Sequence, residues 1–156
     1  MLTQQIQGVV IRPLEFHKDE RGWLSELFRS DELAMETVPE MVYVSETNPG
    51  FSRGPHEHRA QTDLFCFFGP GNMLLYLWDA RKTSSTYGAK LKILVGQSNP
   101  CAVIVPPGVV HGYKNDSETN ALVFNAPNQL FAGANRECPV DEIRHEEATS
   151  SLYSFY

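Results

Sequence analysis

Short runs of β-forming residues, separated by glycine, proline, asparagine and aspartate, are the feature that most limits how this chain can fold. Runs of roughly four to eight such residues, bounded by turn-forming residues, are typical of strands in antiparallel sandwiches and barrels. We predict strands over residues 8–12, 22–29, 41–46, 63–68, 73–78, 91–95, 102–105 and 121–124. The pattern therefore predicts an all-β fold.

Two turns and one helix complete the local prediction. The Gly-Pro-Gly-Asn segment 69–72 predicts a reversal between strands, because glycine tolerates the positive φ of a tight turn. The Pro-Pro-Gly segment 106–108 ends the strand before it, since proline cannot donate to a strand ladder. Residues 30–38 are predicted to form a minor helix, with Ser30 as the N-cap and acidic residues in the first turn.

The length of 156 residues is close to the commonest size of a single domain. We expect one domain over residues 1–156, with a barrel core at about 8–125 and an irregular, polar C-terminal tail. Four apolar residues at the end of that tail are candidates for packing on a sheet or on a partner subunit: Leu152, Tyr153, Phe155 and Tyr156.

Composition argues against several classes of function. The net charge is −6, from 13 Lys and Arg against 19 Asp and Glu, so nonspecific binding of nucleic acid is not expected. We expect no membrane association, since no apolar run approaches the length of a membrane span and the N-terminus lacks the features of a secretory signal. The 3 widely spaced cysteines fit reduced thiols, which favours a cytoplasmic location.

Three histidines carry the strongest chemical signal. His56 and His58 are two residues apart in an extended stretch, so both rings project from one face of a strand. His111 follows the Pro-Pro-Gly turn, at the start of what should be a neighbouring strand. If the two strands face each other, the three imidazoles converge in the mouth of a barrel, where ligand pockets are common.

The spacing of these residues resembles the two motifs of the cupin superfamily. The first is Gly50, His56, His58 and Asp63, and the second is Pro106-x-Gly108-x-x-His111-x-x-x-Asn115. Cupins are small antiparallel β-barrels of the jelly-roll type, so the resemblance implies that architecture here. Many cupins bind a metal at these positions, which implies one alternative, Zn²⁺, Fe²⁺ or Mn²⁺ on His56, His58, Asp63 and His111.

Four ordered motifs resemble a narrower branch, the dTDP-4-dehydrorhamnose 3,5-epimerase family, which usually needs no metal. They are Asp-Glu-Arg-Gly-Trp-Leu-Ser-Glu at 19–26, Arg-Gly-Pro-His with a following Gln at 53–61, Asp-Ala-Arg running into Thr-Tyr-Gly at 79–88, and Pro-Pro-Gly-Val-Val-His-Gly at 106–112. The resemblance implies an isomerase without a cofactor. Its implied substrate is a nucleotide-diphosphate-linked 4-keto-6-deoxyhexose, used for polysaccharide synthesis.

The same resemblance implies roles for individual residues. His56 is the base that removes a proton next to the ketone, a task that suits an imidazole with an ordinary pKa of about 6.5. Arg53 contacts the substrate, and Arg21 reaches a nucleotide bound by the partner in a homodimer, where guanidinium groups suit phosphate oxygens. The further substrate contacts are expected from Glu26, His58, Gln61 and Tyr113.

Two positions depart from that family. Asp63 stands where the family usually has a Lys that stabilises the enolate oxygen, which leaves His58 or His111 as the donor. Residues 124–131 lack the family's general-acid Tyr. The candidate substitutes for that acid are Tyr43 and Tyr113.

The carboxylate that orients the base histidine comes from a longer C-terminal region in the family. The candidates to replace it here are Asp63, Asp79 and Asp141. For Asp79 we favour a structural role, in an ion pair with Arg81 that anchors the turn at 84–88.

Three alternatives to an epimerase stay open. The Arg-Gly-x-His-x-His segment 53–58 also resembles the dTDP-4-keto-6-deoxyhexose 3,4-ketoisomerases, which move the carbonyl on the same class of sugar. The second alternative is a metal-dependent cupin enzyme. The third is a protein that binds a sugar nucleotide without catalysis, because it lacks the Lys and the Tyr.

Overall fold

The computed structural model describes residues 5–155, which form twelve strands and four short 3₁₀ turns. The strands are β1 (Val10–Pro13), β2 (His17–Asp19), β3 (Gly22–Leu24), β4 (Tyr43–Thr47), β5 (Ser52–Glu57), β6 (Asp63–Phe67), β7 (Asn72–Asp79), β8 (Lys90–Gly96), β9 (Cys101–Val105), β10 (Val109–Asn115), β11 (Ala121–Asn125) and β12 (Ile143–Arg144). They build a first sheet in the order β1-β9-β6-β11-β4, a second sheet in the order β12-β5-β10-β7-β8, and a hairpin of β2 and β3. Their pairings are antiparallel, which confirms the predicted all-β class.

Each of the eight predicted strands overlaps an observed one, although the predicted run 22–29 ends early, at Leu24. The sequence also predicts an extended stretch at His56 and a strand at His111, which correspond to β5 and β10, but it gives no bounds for them, and it misses β2 and β12. Strands β2 and β12 have three residues or fewer, and β5 is rich in polar residues. These three strands therefore lack the apolar pattern from which strands are predicted.

The predicted helix over residues 30–38 is wrong. The segment forms two 3₁₀ turns, Ser30–Glu32 and Met35–Thr37, each flanked by extended residues. The cap position is Arg29, whose side chain pairs with Asp31 and makes no capping hydrogen bond. A helix of this length depends on an apolar stripe packed against the core, and Met35 is 89% exposed.

Both predicted turns are present. In the first, Gly71 has a φ of 76°, and a Cβ there would lie 2.7 Å from the Cβ of Ala121. The Pro-Pro-Gly turn takes the chain from β9 in the first sheet to β10 in the second. Gly108 has a φ of 75° and donates its N–H to the carbonyl of His58 at 2.9 Å. This turn therefore ties the strand that carries His111 to the loop that carries His58.

The hydrophobic core is built from residues of both sheets, and its most buried side chains include Phe67, Leu75, Leu77, Val95 and Val103. Full burial of such a side chain contributes about 1.5–3 kcal/mol. The core is continuous with Phe65 and Tyr113, which also line a cavity described below. The packed interior thus supports the floor of that cavity.

The C-terminal segment is irregular, as predicted, but it is fastened to the second sheet. Strand β12 pairs with β5, and Tyr153 and Phe155 pack on Trp78, which confirms that prediction for these two aromatic residues. Leu152 is 84% exposed, and Tyr156 lies outside the described residues. Within residues 5–155, no helix is long and apolar enough to cross a lipid bilayer.

Candidate active site

A cavity of about 1030 Å³ opens beside the core. Strands β4, β5, β6, β10 and β11 form one part of its wall, and the segment between residues 127 and 146 forms the other. Its volume is at the upper end of the range of about 300–1000 Å³ that is typical of small-molecule sites. The predicted site residues in its wall are Arg53, His56, His58, Gln61, Asp63, His111 and Tyr113.

The three predicted histidines meet in this cavity. Strands β5 and β10 are paired so that His56 lies opposite His111, and their ring centroids are 6.4 Å apart. The ring of His58 is 5.4 Å from that of His111. The imidazoles thus share one interior space, with His58 and His111 buried and His56 partly exposed.

His56 is held by two carboxylates of the C-terminal segment. Glu146 Oε1 lies 2.7 Å from His56 Nε2, and Glu142 Oε1 lies 3.5 Å from Nδ1. The pairing of Arg144 with His56 in β12 and β5 brings both glutamates to the ring, and Arg144 also donates to Glu142. Because the contact with Glu146 is a hydrogen bond that a carboxylate must accept, the neutral ring carries its hydrogen on Nε2, and Nδ1, whose contact with Glu142 is not a hydrogen bond, can accept a proton.

The sequence did not predict Glu142 or Glu146, and none of the three aspartates proposed for their role contacts His56. The Asp141 carboxylate caps the loop after β5, where it accepts backbone N–H groups of residues 59–61 at 2.8–2.9 Å. Asp79 accepts hydrogen bonds from Arg81, Ser84 and Thr86, which is the structural role that we favoured. The available signal for the glutamates was the acidic run at 141–147, which resembles a solvated tail.

Asp63 lies in a different part of the site, between the other two histidines. Its side chain is fully buried, and Oδ1 accepts hydrogen bonds from Asn125 Nδ2 at 2.8 Å and Gln61 Nε2 at 2.9 Å. Oδ2 is 3.1 Å from His58 Nε2 and 3.4 Å from His111 Nε2, but neither contact has good hydrogen-bond alignment. A carboxylate thus faces two imidazoles in the cavity wall.

The charges of this cluster follow from burial and contact. Burial alone would raise the pKa of Asp63, but the adjacent His58 holds it below its ordinary value. Burial alone would lower the pKa of His58, and its contact with Asp63 raises it instead. Burial lowers the pKa of His111 to about 4, so this ring is neutral near pH 7. The cluster therefore places Asp63, whose anionic form is stabilised, beside His58, whose cationic form is stabilised and whose Nδ1 donates to the carbonyl of Asp141.

Comparison with known proteins identifies the family of this chain. The family model described as dTDP-4-dehydrorhamnose 3,5-epimerase matches residues 3–142. The chain belongs to this family. It is similar to the spore coat polysaccharide biosynthesis protein SpsL of Bacillus subtilis (strain 168), with 37% identity over 119 residues, which is 76% of this chain and 78% of SpsL. The family is one of nucleotide-sugar epimerases, so the chain is a member of an isomerase family.

Two further comparisons extend this result. The chain is 35% identical over 127 residues to the probable low-salt glycan biosynthesis epimerase Agl13 of Haloferax volcanii, covering 81% of each chain. The crystal structure of a dTDP sugar isomerase from Desulfovibrio desulfuricans G20 aligns with a TM-score of 0.79 and 23% identity, over 96% of this chain and 91% of that one. The shared fold confirms the cupin-type antiparallel barrel.

Two arginines were predicted to contact the diphosphate, and of these Arg53 lies in the cavity wall. Its Nε donates to Thr47 Oγ1 at 3.0 Å, and one terminal nitrogen donates to the carbonyl of Glu46 at 2.7 Å. The other terminal nitrogen has no hydrogen-bond partner in the part of the chain that the structure describes. The guanidinium group is thus held in place with donors left for a ligand.

Arg21 and Glu26 do not line the cavity of their own chain. The Arg21 side chain is 84% exposed and pairs with Asp19 on the β2–β3 hairpin. Glu26 is 3.6 Å from Arg29 and is also exposed. The predicted pocket contact of Glu26 is therefore not made in the cavity of its own chain, and the predicted contact of Arg21 was with a nucleotide bound by a partner.

Two tyrosines line the cavity, Tyr43 from β4 and Tyr113 from β10. The Tyr43 hydroxyl accepts a hydrogen bond from Asn125 Nδ2 at 2.9 Å, and burial of the hydroxyl raises the pKa of Tyr43 to about 12. The Tyr113 hydroxyl is 3.2 Å from Ser45 Oγ, and burial also raises the pKa of Tyr113. Both phenols are therefore protonated near pH 7.

Three of the four residues in the metal alternative fit a divalent cation. His58 Nε2, Asp63 Oδ2 and His111 Nε2 lie within 4.8 Å of one another. The Nδ1 atoms of both rings face backbone carbonyls, which leaves both Nε2 atoms available as ligands. His56 is outside this group because its Nε2 is bonded to Glu146.

Proposed function

We propose that this protein epimerises a nucleotide-diphosphate-linked 4-keto-6-deoxyhexose by removing a proton from a carbon next to the ketone. The observation that carries the proposal is the pairing of His56 with Glu146 at the wall of a cavity large enough for such a ligand. Family membership supports the substrate class. The relatives SpsL and Agl13, whose names refer to polysaccharide and glycan biosynthesis, support a role in making surface polysaccharides.

The chemistry follows from the ketone. It acidifies the adjacent C–H because the electrons left behind delocalise onto the carbonyl oxygen, and His56 Nδ1 accepts the proton. Glu146 stabilises the imidazolium that forms, as a carboxylate does in other base–carboxylate pairs. General base catalysis of this kind contributes about 10² to 10⁴ in rate.

The enolate oxygen needs a positive partner, because Asp63 replaces the family's Lys. Of the two candidates, His58 is supported over His111, since the pKa of His58 is raised and that of His111 is lowered to about 4. His58 acts here through its charge, because both of its ring nitrogens already face protein oxygens.

We propose a homodimer in which Arg21 reaches the nucleotide of the partner. The β2–β3 hairpin supports this, because Trp23 and Leu24 are 54% and 62% exposed beside Arg21. Light scattering of the wild-type protein tests the assembly. If the protein is a monomer and still binds dTDP, the proposed role of Arg21 is contradicted. The three free cysteines support a reducing location, the cytoplasm.

Solvent exchange tests the activity. A dTDP-4-keto-6-deoxyhexose is incubated with the protein in D₂O, and deuterium at C3 and C5 is followed by NMR. We expect incorporation and inversion with wild type and neither with His56→Ala. Binding of dTDP without any exchange would identify a non-catalytic binding protein, and a 3-keto product would identify a ketoisomerase.

We propose that the reaction needs no metal, and a metal-dependent enzyme is the second candidate. It is favoured by the buried Asp63 Oδ2, which lacks a well-aligned hydrogen bond and faces two imidazole nitrogens. Elemental analysis of the purified protein separates the two candidates. A stoichiometric first-row metal that is lost in Asp63→Ala would favour the second, and full activity after treatment with a chelator would favour the first.

A further inference from the structure

The strand that lacks the family's general-acid tyrosine is paired with a strand that carries one. Residues 124–131 contain no tyrosine, and at the end of β11 the chain has Asn125. In the antiparallel pair of β11 and β4, Asn125 lies directly opposite Tyr43. A phenol is therefore present at the same edge of the cavity, one strand away.

We propose that Tyr43 is the general acid that protonates the enolate on the face opposite His56, so that the carbon is inverted. This inference rests on the proposed function. Tyr43 is on β4 of the first sheet and His56 is on β5 of the second, and both line the cavity. A substrate held between them meets the base on one side and the phenol on the other.

The hydrogen bonds around Tyr43 leave its proton free. The Asp63 carboxylate can only accept hydrogen bonds, so the Asn125 amide must point its nitrogen, Nδ2, toward Asp63. The second hydrogen of Nδ2 is donated to the Tyr43 oxygen at 2.9 Å. The Tyr43 oxygen thus accepts, and its O–H has no acceptor among residues 5–155. The Tyr113 hydroxyl is instead shared with Ser45, and its ring packs against Phe65.

Protonation and charge agree with this role. Burial raises the pKa of Tyr43 to about 12, with a further contribution from the charge of Asp63, so the group carries its proton at neutral pH. An enolate carbon is a stronger base than a phenolate, so proton transfer from Tyr43 to carbon is downhill. The Asn125 amide then donates to the phenolate that is left.

The step balances as follows. The C–H bond breaks, its proton goes to His56 Nδ1, and its electron pair forms the enolate. The Tyr43 O–H bond then breaks as a new C–H bond forms on the other face, and the ketone is restored. Solvent returns the proton from the His56 imidazolium to the Tyr43 phenolate.

Removing the acid should separate exchange from inversion. In Tyr43→Phe the base still removes a proton and returns a deuteron to the same face. We expect deuterium incorporation in D₂O within about tenfold of wild type, and inversion reduced by about 10²-fold or more. The matched control is Tyr87→Phe, because Tyr87 is 57% exposed and does not line the cavity.

The outcomes distinguish this assignment from the proposed function. If wild type neither exchanges nor inverts, the proposed function fails. If wild type inverts and Tyr43→Phe inverts equally fast, only the assignment of Tyr43 fails, and loss of inversion in Tyr113→Phe instead would identify Tyr113 as the acid. Equal loss of exchange and inversion in Tyr43→Phe, with dTDP binding intact, would also overturn the assignment.

A second variant keeps the test decisive if Tyr43→Phe folds poorly. Asn125→Leu has a similar volume and removes the hydrogen bond that holds the Tyr43 hydroxyl. We expect the ratio of inversion to exchange to fall in this variant as well. An unchanged ratio, with the fold verified by thermal denaturation, would contradict the inference.

Discussion

Glu146→Gln tests the central contact of the proposed site with little change in shape. The amide oxygen of Gln can still accept the hydrogen bond from His56 Nε2, which is 2.7 Å from Glu146 Oε1, so the tautomer of the ring is kept. What is lost is the negative charge that stabilises the imidazolium after proton removal. The variant therefore isolates the electrostatic contribution of Glu146.

The expected magnitude follows from distance and exposure. Two unit charges about 4 Å apart interact by about 4 kcal/mol at an effective dielectric constant of about 20. The Glu146 side chain is 35% exposed, and Glu142 stays 3.5 Å from the other ring nitrogen, so solvent and the second carboxylate reduce the loss. A net cost of about 1–2 kcal/mol in the transition state corresponds to about a 5- to 30-fold decrease in rate.

The assay is the initial rate of deuterium incorporation at saturating substrate, measured for both carbons next to the ketone. Glu147→Gln is the matched control, because Glu147 is 70% exposed and is 3.8 Å from Arg144 rather than at the His56 ring. We expect the control to keep the wild-type rate. A wild-type rate in Glu146→Gln, or an equal decrease in Glu147→Gln, would refute the role of this carboxylate.

Three further predictions concern stability and binding. Asp79→Ala should destabilise the protein by about 3 kcal/mol in urea denaturation, because it leaves the partly buried Arg81 without its carboxylate, and a change under about 0.5 kcal/mol would contradict this. Because the pKa of Asp63 is lowered in the folded state, its contribution to stability is present above about pH 4 and is lost as the pH falls. Because the pKa of His58 is raised, its contribution is present below about pH 6.5 and is lost as the pH rises. The difference in unfolding free energy between wild type and Asp63→Asn should therefore be largest between about pH 4 and 6.5, and a pH-independent difference would show that the pair does not form. Arg53→Lys should weaken dTDP binding by about tenfold in calorimetry, since Lys lacks the planar fork that matches phosphate, and unchanged affinity would exclude Arg53 from the diphosphate site.

The sequence predicted the parts of the fold that depend on local patterns. Strands such as β6 and β7 are apolar runs bounded by turns, and the Pro-Pro-Gly turn follows from the chemistry of proline and glycine. The helix prediction for residues 30–38 was wrong because these residues favour a helix locally, but the segment has no buried residues that would form an apolar face against the core. Propensity is a weak guide where tertiary contacts decide.

The histidines of the site were predictable and their carboxylate was not, for one physical reason. His56 is in β5 and His58 follows the end of that strand directly, so their two-residue spacing brings both rings to the same cavity wall, which is a local property. Glu146 is 90 residues from His56 in the sequence and reaches it through a two-residue strand and a single 3₁₀ turn. No pattern within the C-terminal segment specifies that contact.

The two departures from the family pattern are physically connected. The Asp63 carboxylate accepts from Asn125, and that contact turns the amide so that it also donates to Tyr43. A Lys at position 63 is a donor and would repel the amide hydrogens, so Asn125 would lose the partner that fixes its orientation. In the proposed mechanism Asp63, Asn125 and Tyr43 therefore act together: the carboxylate that stands in place of the family's Lys orients the amide, and the amide positions a phenol on the neighbouring strand.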